Sequence, residues 1–456
     1  MRFSFFSLLL APALLGQPTF YRDVLPILQK KCQACHRPGE VAPFPLLSYE
    51  QARPWAKAMK AAVLSREMPP WFADGGHFLN DRSLSEREIQ TINAWASGGA
   101  SAGNPTQGPA PIVFVEGWRI HKPDAVFDIG TDFTIPESGE VPYQNFLVHT
   151  SFKEDRWIRE LELRPGNRGA VHHLSLYVRP PGSAYFSRAV QGRSFVPAFL
   201  ANHPAAPPTK RGATLNGLDD KSVEIMGSFL PGSDAIQLPP GQAFLLKTGS
   251  DLIFEIHYTT SGKKQIDRSS VGFVFAERPA VRLINAAMGS DLHIPPKAAE
   301  HHEESSVTFA NPVELRAIQP HMHLRGVGFE VQATYPSGKQ ETLLKLRRYD
   351  FNWQLVYELN PPAQFPRDTV LTMRATYDNS ANNRANPNPD VDVYWGDQTT
   401  SEMFLAGLRL AIPIGQKPSE LVPKESLLIN EDVLEAGSWQ EMIRRSMQGI
   451  KQRLGR

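Results

Sequence analysis

VELRAIQPHMHLRGVGFEVQATYP, Val313 to Pro336, sets apolar residues at every second position through Val313, Leu315 and Ala317. The alternation returns through Phe329, Val331 and Ala333. A period of two belongs to a strand with one buried face. Working outward, AVFDIGTDFTI, RWIRELELRP, HHLSLYVRP and DLIFEIHYTT are short, β-rich and separated by turn residues. The 39 prolines and 33 glycines fit many short strands joined by ordered loops. Helical spacing returns only at the end, in SWQEMIRRSMQGIKQRLG. Residues 112–414 therefore read as all-β and sandwich-like. They exceed the roughly 100 residues of one ordinary sandwich, so two are expected, over 112–275 and 276–414.

The N-terminal part has a different texture. MRFSFFSLLLAPALLG has Arg2 followed by an apolar run too short to span a bilayer, with Gly16 as a plausible cleavage point. Residues 1–16 are thus expected to be a signal peptide, and the protein to be exported, periplasmic or extracellular. No later stretch is long and apolar enough for a transmembrane helix. The net charge of +1 gives no steer toward nucleic acid.

The only two cysteines lie in CQACHRPGE, Cys32 to Glu40. Cys32-Gln33-Ala34-Cys35-His36 is the C-x-x-C-H haem attachment pattern: two thiols reach the two vinyl groups, and His36 lies under the iron. A disulfide or redox C-x-x-C is the alternative use of that spacing. A second axial ligand is expected at Met68, in LSREMPPWFADG, where Pro69 and Pro70 stiffen a loop. Met59 sits at helical spacing in YEQARPWAKAMKAAVLS and reads as core, and His77 is a weaker ligand candidate. FYRDVLPILQKKC is helical in pattern through Val24, Leu25, Ile27 and Leu28. Ser85 and Glu88 stand at capping-box spacing. With C-x-x-C-H and the M-P-P-W loop, residues 17–100 resemble a small all-α, class I type cytochrome c domain with covalent haem c. SAGNPTQGPAP, residues 101–111, reads as a linker.

Both sulfurs being committed, the β region is expected to be disulfide-free. Its histidines carry metal-ligand spacings. His321 and His323, two apart on a strand, share a face. Adjacent His172 and His173 face opposite sides of a regular strand, so they can share an ion only at a strand end or bulge. His257, in FEIHYTT, is a candidate third ligand. His149 and His203 read as ordinary polar residues, and His301-His302, in KAAEHHEESS, as a solvated loop.

VHH, FEIHY, PHMH and WGDQTTSEM follow one another in the order used by the type II copper, ascorbate-dependent monooxygenases, which include the peptidylglycine α-hydroxylating and dopamine β-monooxygenases. The stretch GSFLPGSDAIQLPPG is also similar to that family. The resemblance covers roughly residues 115–412. It implies two tandem antiparallel sandwiches of jelly-roll type with one copper ion on each. His172, His173 and His257 look like the electron-transfer copper site. His321, His323 and Met403 look like the oxygen-binding, catalytic copper site. Met373 is the rival thioether, and Met322 between the two histidines reads as a packing residue. The family's carboxylate clamp is replaced by Gln319, Leu405 and Gly407, which points away from a peptidylglycine substrate; Arg316 and Arg325 are the nearby cations.

The expected function is an exported haem- and copper-containing monooxygenase. It would hydroxylate a C–H bond of an unknown small molecule with O2, drawing on an external donor, an ascorbate-like reductant or another redox protein, through the fused haem. The alternative is a non-catalytic electron-transfer or copper-binding protein. Residues 415–456 form a C-terminal extension. Its terminal helix has Met442, Ile443, Met447, Ile450 and Leu454 on one stripe.

Overall fold

The computed structural model describes residues 16–183, 185–186, 189–196, 213–219, 221–230, 235–396 and 399–427. Residues 1–15 of the expected signal peptide, His203 and the expected terminal helix lie outside the described residues. The chain divides into two compact units. One comprises Met1–Trp71 with Arg82–Val113, the other Phe72–Asp81 with Phe114–Arg456.

In the first unit the helices are short: Leu25–Lys31, Tyr49–Ala52, Ala56–Leu64 and Glu86–Ser97. They enclose a core of Phe20, Val24, Leu28, Met59, Val63, Ile92 and Trp95. Ser85 and Glu88 form a reciprocal capping box at the start of the last helix. Residues 101–111 belong to this unit, since the N–H groups of Phe20 and Tyr21 donate to the carbonyls of Ser101 and Ala102.

The expectation of a small all-α cytochrome c domain over 17–100 is corrected here. The protein is mostly β, and its few short helices do not amount to a sizeable helical domain. Residues 17–100 are also not continuous, because Phe72–Asp81 belongs to the other unit. There the Asn80 amide donates to the Val356 carbonyl at 2.7 Å, and Phe78 bridges Leu359.

The second unit is built on one long sheet. In spatial order its main strands are Ala125–Asp128, Ser270–Ala276, Arg156–Arg164, Gln242–Leu246, Val281–Ser290, Phe404–Pro413, Val313–His321 and Tyr357–Phe365. A five-stranded sheet contains Ser194–Phe195, Gln144–His149, Asp251–Tyr258, Val171–Arg179 and Glu224–Phe229. It shares a core with the first part of the long sheet, where Phe146, Leu174, Phe254 and Ile256 meet Ile158, Leu161, Phe244 and Phe273. A four-stranded sheet, His301–Thr308, Val370–Tyr377, Gly326–Thr334 and Gln340–Leu346, packs on the other part, with Phe329 against Phe404 and Tyr335 against Phe365.

This is consistent with the expected β-sandwich architecture. A parallel pairing of Gln242–Leu246 with Val281–Ser290 carries one sheet across the expected boundary at 275/276. Among the described residues no helix is long and apolar enough to cross a membrane.

Candidate metal centres

His172 and His173 open the strand Val171–Arg179, which pairs antiparallel with Asp251–Tyr258. His257 faces His173, yet Tyr258 faces Val171, so His172 is the extra residue of a bulge. A bulge re-aims a side chain that would otherwise point to the opposite face. The three rings gather, with centroids 5.5 Å apart for His172–His173, 5.3 Å for His172–His257 and 5.0 Å for His173–His257. One ligand nitrogen from each lies within 4.8 Å of the others.

The Nδ1 atoms of His172 and His257 are buried without a hydrogen-bond partner. Such a nitrogen carries an uncompensated desolvation cost. Burial lowers the pKa of all three rings, His257 to about 4 and His173 well below the ordinary value, with the neighbouring histidines adding to the effect on those two. The rings are therefore neutral at neutral pH, the form that ligates metal.

Tyr143 completes the wall. Its hydroxyl lies 3.3 Å from His173 Nε2, and its ring stacks on His257 at 4.7 Å and 22°. Burial, then the charge of Glu255, holds its phenol well above the usual range, and its hydroxyl also bonds Thr399.

The metal-free unfolded chain takes up protons on these imidazoles near pH 6.5, whereas the folded chain resists until about pH 4 at His257. The stability of metal-free protein should accordingly be fully present above pH 6.5 and fall between pH 6.5 and 4. His257 contributes about 3 kcal/mol at most, because its ring is only partly buried. Urea unfolding of copper-free protein across that range checks this, and a flat profile would contradict it.

The second cluster is assembled at a strand end. His321 is the last residue of Val313–His321 and His323 follows just beyond, with ring centroids 5.3 Å apart at 87°. His321 Nδ1 is 2.8 Å from Gln354 Oε1, and His323 Nδ1 is 3.3 Å from the Ser401 carbonyl. Metal-ligating imidazoles are commonly oriented in this way through the other ring nitrogen. Met322 is fully buried, and its backbone N–H and carbonyl both bond the Tyr349 hydroxyl.

Met403 immediately precedes Phe404–Pro413, the strand that pairs with Val313–His321 and sets Leu405 opposite His321. That register carries the Met403 backbone alongside the H-x-H turn. Met373, the rival thioether, is fully buried within Val370–Tyr377, between Ser305 and Val331.

Glu402 joins the turn to the methionine segment. It is fully buried, and its Oε1 accepts from the N–H of both His323 and Met403, the latter at 2.9 Å. Its Oε2 accepts from Arg325 N at 3.0 Å. Burial pushes this carboxyl up to about 7, against the pull of three N–H donors and the Arg325 guanidinium. Arg325 is itself buried, donating to Asn379 Oδ1 and the Thr400 carbonyl, each at 2.9 Å. Arg316 pairs with Glu314. Both arginines thus already have protein partners. Gln319, paired across the strands with Gly407, donates to the Gln354 carbonyl at 3.2 Å.

The cysteine motif follows the helix Leu25–Lys31. The N–H groups of Cys35 and His36 donate to the Cys32 carbonyl at 3.1 and 2.9 Å, which turns the motif tightly, and no disulfide joins the two cysteines. His36 Nδ1 lies 3.1 Å from the Phe44 carbonyl, so the ring is held through that nitrogen. Phe44 packs 4.8 Å from His36 and stacks on Trp55 at 3.9 Å. Met68 is half-buried in the loop after Ala56–Leu64, whereas Met59 lies in the core. His77 falls in the second unit, where its carbonyl accepts from Asn360 N.

Of the histidines read as ordinary polar residues or as a loop, His149 bonds Asp251 and His301 bonds Glu303. His301 and His302 stand on a strand, His301–Thr308, and not in a loop, because every residue from His301 to Thr308 pairs across to Val370–Tyr377.

Sequence reading did not single out Tyr143, Gln354 or Glu402. Only Glu402 had a signal, a charged residue directly before the candidate thioether. No family model and no curated protein matches this chain. Among solved structures, those of infectious bursal disease virus Gt and Gx strains align with 70% of this chain and 78% of their own, at 10% and 11% identity and TM-scores of 0.17 and 0.18. At such scores the likeness carries no argument about the fold or the sites.

Proposed function

We propose that the chain is a copper-dependent oxidoreductase, an O2-dependent monooxygenase acting on a C–H bond and similar in its sites to the type II copper monooxygenases. The observation that carries this reading is the buried, partnerless Nδ1 of His172 and of His257 within a ring of three neutral imidazoles. His172, His173 and His257 would hold one copper, and His321, His323 and Met403 a second, whose soft thioether suits Cu(I). Haem c would be joined to Cys32 and Cys35 and held by His36 and Met68. Together these groups would supply one-electron transfer and O2 reduction.

The chain's own residues prepare the sites. Burial keeps the three imidazoles of the first site unprotonated, Gln354 and the Ser401 carbonyl orient the second pair, and Tyr143 packs over the first site. Gln319, Leu405 and Gly407 leave the clamp positions uncharged, which supports a neutral or apolar small-molecule substrate.

The test is kinetic. Haem-loaded protein is reduced and mixed with O2, with and without two equivalents of copper. The proposal expects haem reoxidation to be markedly faster with copper. Equal rates would contradict it.

A further inference from the structure

We propose that Glu402 is a positioning residue that sets the distance between the His321–His323 turn and Met403. This rests on the assignment of those three residues to a second copper site. One oxygen, Oε1, accepts from the backbone N–H of two of the proposed ligand residues, His323 and Met403. The other, Oε2, accepts from Arg325, two residues further along the turn. A single carboxylate therefore fixes the end of one strand against the start of its neighbour, at the point where both stop pairing. The ladder ends at His321 and Leu405, leaving His323 and Met403 with no strand register of their own.

Two further bonds follow the same line. Arg325 donates to the Thr400 carbonyl, and His323 Nδ1 lies against the Ser401 carbonyl. Each crosses from the turn to the methionine segment, but of these links only the Glu402 carboxylate also holds Met403, whose carbonyl accepts from the Tyr377 hydroxyl. The three bonds to its carboxylate come from backbone N–H groups, and full burial keeps it from solvent, so its part is geometric. Outer partners of metal ligands typically cost 10–100-fold in metal affinity when altered.

The experiment uses the full haem-loaded chain and Cu(I), with chelator competition for affinity at each site and X-ray absorption for sulfur bound to copper. Glu402→Gln keeps the volume but turns one acceptor oxygen into an NH2 donor facing N–H donors. It is expected to weaken the second site by about 10–100-fold and to diminish the sulfur signal, while the three-histidine site keeps its affinity. Glu402→Asp, which retains both acceptor oxygens, should recover part of the loss. A merely structural carboxylate would lower the melting temperature without this selectivity.

Native affinity and a native sulfur signal in Glu402→Gln would overturn the positioning role. If that variant does not fold, Glu402→Asp decides by the same two readouts: selective weakening supports the role, and native values overturn it. Wild-type protein that takes up only one copper would instead overturn the second-site assignment itself.

Discussion

Met403→Ala is expected to lower oxygen-dependent turnover by more than about 100-fold, since altering outer partners alone costs 10–100-fold in metal sites. Reduction of the haem should be unchanged. The variant removes a side chain that is only half-buried and lies outside the regular strand, so the fold should tolerate it. Its backbone bonds, to Glu402 and from the Tyr377 hydroxyl, do not depend on the side chain. Met373→Ala is the internal contrast. That thioether is in the core, and its removal should cost about 2–5 kcal/mol of stability with the copper stoichiometry retained. If Met403→Ala turned over O2 as the wild type does, the electron-transfer or copper-binding alternative would gain.

The second large effect is expected from His257→Ala. Two imidazoles would remain on the bulged strand, and the ring against which Tyr143 stacks would be gone. Copper affinity at this site should fall by more than about 100-fold, with the His321–His323 site unaffected. Haem reoxidation by O2 in the presence of copper should then drop toward the copper-free rate. The same variant should be less acid-sensitive as metal-free protein, because it no longer buries an imidazole that resists protonation to about pH 4. Chelator competition and urea unfolding read the two effects separately. A His257→Ala protein that kept a tightly bound copper at this site would contradict the assignment.

What the sequence disclosed was local. The alternation in Val313–Pro336 became two strands, Val313–His321 and Gly326–Thr334, joined by the turn that carries His323 and Arg325. The His172-His173 pair called for a strand end or a bulge, and the register slip opposite Tyr258 supplies one. Non-local pairing was not legible. Nothing in the composition near residue 276 announces that Gln242–Leu246 pairs in parallel with Val281–Ser290, so two separate sandwiches were expected where one sheet continues.

The helical expectation failed for a related reason. Spacing identified the segments Leu25–Lys31 and Glu86–Ser97 but could not reveal that Phe72–Asp81 belongs with the β unit, where Asp74 N–H donates to the Lys345 carbonyl at 2.8 Å. Tyr143 lies far in sequence from His173 and His257, and no motif marks it. Glu402 was visible as a letter beside Met403, but its role depends on backbone donors that only the fold brings to it.

The most direct measurement of the central claim is the metal content of purified holoprotein. Elemental analysis should return one iron and two coppers per chain, with the copper lost on chelation and the iron retained through the Cys32 and Cys35 thioethers. One iron with no copper would contradict the account.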